Sequence, residues 1–104
     1  MIENNEIFEK HGRKDLRVGM VVRHFKRELN KPEDEKNKYL YKIIDIAEHT
    51  ETKELLVIYQ GMYGEYGTYA RPIKMFTSEV DKEKYPDIKQ KYRFELQEIE
   101  TVVK

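Results

Sequence analysis

Two runs, YLYKIIDIA at 39–47 and LLVIYQ at 55–60, are separated by only the seven polar residues EHTETKE. Both runs are dense in Ile, Val, Leu and Tyr and too short to be buried helices, so they read as strands. The short connection predicts an antiparallel hairpin. In the first run Tyr and Ile fall on both faces, the pattern of a sheet that curls and is partly covered on each side. This pairing sets the class of the whole chain, because a two-stranded ribbon is stable only when further strands or a helix extend it.

The rest of the sequence supplies those strands. RVGMVVRHFKR at 17–27 follows a glycine turn with a β-branched and aromatic run. GMYGEYG provides three glycines for a turn, TYAR a short strand, and Pro72 ends that strand or places it at an edge. In YRFELQ, Tyr92, Phe94 and Leu96 alternate with Arg93, Glu95 and Gln97, the pattern of a half-buried strand. Met75 and Phe76 of IKMF are expected to point inward, with Thr77 or Ser78 capping a helical turn after them. Five short strands at close spacing predict an all-β small barrel or roll with short helical turns.

Residues 1–15 show no sustained period and are expected to be a flexible segment. The folded roll is expected over 16–97, with a solvated insertion at 27–38, where eight of twelve side chains are charged. Residues 98–104 read as a tail. The chain is polar, with 38% charged residues and a mean hydropathy of −0.89, but 8 Tyr and 4 Phe give it enough bulky side chains for a core.

Lys+Arg and Asp+Glu balance at 20 each, so no overall field draws the chain to a polyanion or a membrane surface. The charges are nonetheless segregated: residues 11–31 carry seven basic and two acidic side chains, residues 44–70 one basic and five acidic. There is no cysteine, which removes disulfides, thiolate metal sites and a cysteine nucleophile. MIENNEIFEK lacks the basic and apolar regions of a signal peptide, and no run approaches a membrane-spanning length. The expected location is the cytoplasm, as a monomer or weak dimer.

Several blocks carry a family resemblance: RHFK (23–26), YKI (41–43), AEHTETKE (47–54), VIYQ (57–60), MYG (62–64) and YARPIKMF (69–76). In this order they resemble the bacterial domain-of-unknown-function family 1653. The resemblance covers residues 19–76 and extends to the strand at 92–96. It implies an SH3-like roll and no particular activity. Val22 stands where an aromatic is usual, Arg27 where a glycine is usual, and 28–38 looks inserted.

Candidate chemistry is weighed residue by residue. His24, His49, Glu51 and Glu54 are the residue types that bind zinc or exchange protons, and His49 with Glu51 would serve a metal-dependent or hydrolase-type enzyme. No H-x-x-x-H or H-E-x-x-H spacing unites them, and turn chemistry explains HTETKE without a metal. Ser78, the only serine, has no evident His partner. No motif points to a cofactor. Nucleic acid ranks next: Lys14, Arg17, Arg23, Lys26 and Arg27 with Phe25, Tyr39 and Tyr41 offer phosphate contacts and stacking planes, against a net charge of zero.

The leading reading is a non-catalytic binding module for a peptide or small polar molecule. Tyr59, Tyr63, Tyr66 and Tyr69 cluster beside Arg71 and would form one wall of its groove, with the HTETKE turn as the other and His24 and Lys26 contributing. Arg71 is expected opposite residues 54–56, where its guanidinium would hold Glu51 or Glu54 and brace the HTETKE turn.

Overall fold

The computed structural model describes residues 4–98. Five strands form one antiparallel sheet: β1 (Val21–His24), β2 (Leu40–Glu48), β3 (Leu55–Gly61), β4 (Thr68–Pro72) and β5 (Phe94–Leu96). Their order across the sheet is β4-β3-β2-β1-β5, so the sheet stays open between β4 and β5. Two short helices, α1 (Asn4–Lys10) and α2 (Ile73–Phe76), and a 3-10 turn at Phe25–Leu29 complete a small all-β roll.

The hairpin of β2 and β3 forms as its sequence predicts, with Glu48 paired to Leu55 and Tyr41 to Gly61. The Ile residues on both faces of β2 have a different cause from coverage on two sides. A bulge interrupts the register between Ile43 and Asp45. One extra residue reverses the alternation. Tyr41 and Ile43 therefore face the core before the bulge, and Ile46 packs against it afterwards. Ile44, at the bulge, is exposed.

The core gathers Phe8, Leu16, Val22, Tyr41, Ile43, Val57, Tyr59, Ile73, Phe76 and Phe94. Phe76 stacks on Phe94 with ring centroids 4.2 Å apart and planes 7° from parallel. In α2 it is Ile73 and Phe76, three residues apart, that face inward, whereas Met75 is exposed, contrary to the expectation for IKMF. Thr77 closes this helix at its C-terminal end by donating to Ile73 O, instead of starting a helical turn.

Residues 4–15 also depart from expectation. In place of a fraying segment, α1 inserts Phe8, fully buried, against Phe76. Arg13, only 2% exposed, then clamps the segment to β5: Nη1 donates to Phe94 O at 2.9 Å, and the guanidinium lies 4.0 Å from the Tyr92 ring. Asp15 accepts from Nε and Nη2 at 3.1 and 3.0 Å. Phe8, with Ile7 packed against the core beside it, and one arginine thus do what a longer amphipathic helix would. Residues 1–3 of the expected flexible segment and 99–104 of the expected tail lie outside the described residues.

The charged stretch at 27–38 is a loop held by its own side chains. Arg27 donates to the carbonyls of Lys38 and Lys36, Asn30 to that of Lys38, and Asp34 takes the amide of Lys31. Its Glu35 reaches the Gly64 amide in the turn between β3 and β4. A second small core of Phe25, Val80 and Ile88, with Tyr85 against it, seats the long segment that leads into β5.

Candidate functional site: a cationic pocket at the end of β1

His24 is the last residue of β1 and the N-cap of the 3-10 turn, with an extended backbone (φ −77°, ψ 146°). Its Nδ1 accepts the Lys26 amide at 3.1 Å. An accepting Nδ1 leaves the proton of the neutral ring on Nε2. His24 is 8% exposed, and its ring is packed by Phe25 (centroids 4.3 Å apart) and Phe94 (5.0 Å). Burial, reinforced by the charges of Arg71, Arg93 and Lys26, lowers its pKa to about 3. It is neutral at physiological pH. Among the described residues Nε2 has no hydrogen-bond partner, and no buried side-chain polar atom lacks one, so this edge of the ring opens outward.

It opens into a pocket of about 310 Å³ lined by His24, Phe25, Lys26, Arg71, Asp81, Lys84, Tyr85 and Arg93. Three parts of the chain build its walls. The 3-10 turn brings His24, Phe25 and Lys26. β4 brings Arg71, which pairs with Val57, donates from Nε to Tyr59 Oη at 3.1 Å and lies over Phe94 at 5.6 Å. The segment before β5 brings the rest. There Val80 N donates to Lys91 O, Arg93 N to Ser78 O and Phe25 N to Arg93 O, which fixes the Arg93 backbone beside β1. Arg93 Nε reaches Ser78 Oγ at 3.4 Å.

The charge in this pocket is unbalanced. The ion pairs among the described residues are Arg13–Asp15, Arg23–Glu95 and Lys38–Asp34, and none includes Lys26, Arg71, Lys84 or Arg93. Asp81 is the one carboxylate on the wall, and its Oδ1 takes the amides of Glu83 and Lys84 in its own turn. Burial and the nearby Arg71 both lower the Arg93 pKa. Two half-buried guanidiniums that repel each other, with Asp81 the one opposing carboxylate on the wall, form a ready acceptor for an anion.

A larger cleft of about 510 Å³, lined by Arg23, Arg27, Glu28, Lys89, Gln90, Lys91 and Glu95, has the opposite character. Its Arg23 and its two carboxylates are already matched: Arg23 bonds Gln90 and Glu95, and Glu28 accepts the amides of Lys89 and Gln90. Of the residues named for a nucleic-acid surface, Arg23 and Arg27 are engaged by other parts of the chain, and Phe25 and Tyr41 are buried.

Of the residues singled out in the sequence, the structure brings His24, Lys26 and Arg71 together, with Tyr59 positioning Arg71. Tyr63 is elsewhere, hydrogen-bonded through its hydroxyl to Tyr41 at 2.8 Å, and half-exposed Tyr69 lies against Tyr59 at 5.6 Å. His49, Glu51 and Glu54 stay in the β2–β3 turn. There His49 Nδ1 accepts the amides of Glu51 and Thr52, and Thr52 Oγ1 that of Glu54. Lys53 closes the turn in the left-handed region (φ 64°).

The proposed Arg71 brace is absent. Arg71 faces Val57, not residues 54–56, and its Nε goes to a tyrosine instead of Glu51 or Glu54. Among the described residues no three His, Cys, Asp or Glu side chains are placed to hold a metal. Sequence reading missed Arg93, Lys84, Tyr85 and Asp81; the one signal was Arg93, set on the polar side of an alternating strand.

The family model described as a protein of unknown function (DUF1653) matches residues 20–96, which include β1 to β5 and every wall of the pocket. The chain belongs to the DUF1653 family. Comparison with curated proteins and with solved structures returned no match. Among the described residues of this DUF1653 chain, no helix is long and apolar enough to cross a membrane.

Proposed function

We propose that this DUF1653 chain is a non-catalytic binding module that takes the anionic group of a peptide or small polar molecule into the His24–Arg71–Arg93 pocket. The observation that carries this reading is the convergence of Lys26, Arg71, Lys84 and Arg93 on one pocket with no ion pair to a described carboxylate. A guanidinium near a second cation is costly unless an anion offsets it, and guanidinium donors match the oxygens of carboxylates and phosphates. His24 adds a donor without adding charge. Its Nδ1 is committed to the turn, and its depressed pKa withholds the proton-accepting form change that general acid–base work near neutral pH uses.

Thermal shift against a panel of small anions tests the reading. A ligand at one hundred times its dissociation constant stabilises by about 2.7 kcal/mol. The expected result is a rise in Tm with at least one oxyanion, at constant ionic strength, that Arg71→Gln or Arg93→Gln removes. Shifts of equal size in both variants would move the binding away from this pocket.

A further inference from the structure

Resting on the anion-pocket reading, the geometry points to a narrower ligand class: the terminal phosphate of a phosphomonoester, in preference to a carboxylate or a phosphodiester. Charge separates these classes first. Four cationic side chains, Lys26, Arg71, Lys84 and Arg93, face Asp81, which is already accepting two amides of its own turn. A carboxylate or a phosphodiester brings one negative charge. A phosphomonoester brings about −1.5 to −2 at neutral pH, together with three strongly accepting oxygens.

The directions of the donors agree. They come from three different elements: Lys26 and the His24 Nε2–H from the 3-10 turn and its cap, Arg71 from an edge strand, and Lys84 and Arg93 from the segment before β5. Donors approaching from separate walls suit a tetrahedral group, whereas a planar carboxylate is matched by one guanidinium fork. Both guanidiniums are held by their Nε atoms, Arg71 on Tyr59 and Arg93 on Ser78, which leaves the Nη donors for a ligand.

The pocket also has an apolar margin. The Phe25 and Tyr85 rings meet edge to face at 4.8 Å on its wall, and Tyr85 is half-buried. Tyr85, backed by the buried Phe25 ring, gives the carbon atoms of an ester something to pack on, so an organic phosphate is favoured over the inorganic ion.

Calorimetric titration of the full chain at pH 7.5 and fixed ionic strength tests this. The probes are phenyl phosphate, inorganic phosphate, diethyl phosphate and malonate, a dicarboxylate of equal charge to the monoester. Phenyl phosphate is expected to bind at least tenfold more tightly than malonate or diethyl phosphate, and more tightly than inorganic phosphate. Arg71→Gln and Arg93→Gln are each expected to weaken it tenfold or more while keeping the wild-type amide spectrum. A phosphoserine-containing peptide is the arm that separates sources: tighter binding than phenyl phosphate assigns the group to a protein, weaker binding to a small molecule, and either agrees with a monoester.

Malonate binding as tightly as phenyl phosphate would overturn the phosphate assignment and leave the anion pocket standing. Binding unchanged in both arginine variants, or no binding by any probe, would overturn the pocket reading along with it.

Discussion

Arg13 and the Arg71–Arg93 pair show what one residue type does under two accountings of hydrogen bonds. Arg13 is almost wholly buried, and its donors meet the Asp15 carboxylate and the Phe94 carbonyl while Tyr92 covers its face. Arg71 and Arg93 are less buried, each uses Nε on a hydroxyl, and neither has an ion pair among the described residues. The first arrangement is closed and joins two parts of the chain. The second is open. Burial alone would rank Arg13 as the more important residue; satisfaction of its donors says that its importance is to the fold.

The sharpest way to break this comparison is to remove Arg13. Arg13→Ala strands the Phe94 carbonyl and deletes the packed stem over Tyr92, so urea denaturation is expected to show a loss of about 2–4 kcal/mol. Asp15→Asn is expected to cost under about 1 kcal/mol, because that carboxylate is half in water. A small effect of Arg13→Ala would erase the distinction between the closed and open arginines.

Acid titration gives the next effect. A histidine whose folded pKa lies below its unfolded value of about 6.5 binds fewer protons when folded. Stability linked to His24 is therefore full above pH 6.5 and declines as pH falls toward its folded pKa of about 3. His24→Asn keeps an oxygen that can cap the Lys26 amide and is expected to flatten the decline of Tm between pH 6.5 and 4. An unchanged slope in that variant would mean that His24 is not held neutral by its surroundings.

The smallest effects are expected where the open pair is altered without ligand. Arg71→Gln or Arg93→Gln relieves a cation–cation repulsion and should leave stability within about 0.5 kcal/mol of wild type, or raise it. A loss above about 2 kcal/mol would recast the pair as structural. At the far hairpin, His49→Ala removes the acceptor of two exposed amides and is expected to cost about 0.5–1 kcal/mol, with anion binding unaffected.

The hairpins from 39 to 72 were readable because alternation and turn residues are local signals. The N-terminal helix was not: in residues 5–10 Ile7 and Phe8 are the apolar side chains, and their place depends on Phe76 and on an arginine that reaches β5. The same division runs through the site. His24, Lys26 and Arg71 were legible by type, and His24 and Arg71 also by their position on strands. Lys84 comes from a stretch without period, and Arg93, though on the polar side of an alternating run, is positioned by bonds between residues 78–80 and 91–93 that no local pattern announces. For Arg71 the error was register: the partner is Val57 on the core side, and so the side chain turns toward Tyr59 and Phe94 instead of the hairpin tip.

The place of β4 at one margin of the sheet has a consequence for how copies of this chain behave when crowded together. A margin strand is a template on which another chain can crystallise its own backbone, the route to fibres and to tangled dimers. Here the exposed stretch is Thr68 to Ala70, and it ends at a proline that offers no amide. A short ledge that stops at a ring is a poor seed, so this margin can stay bare in concentrated solution.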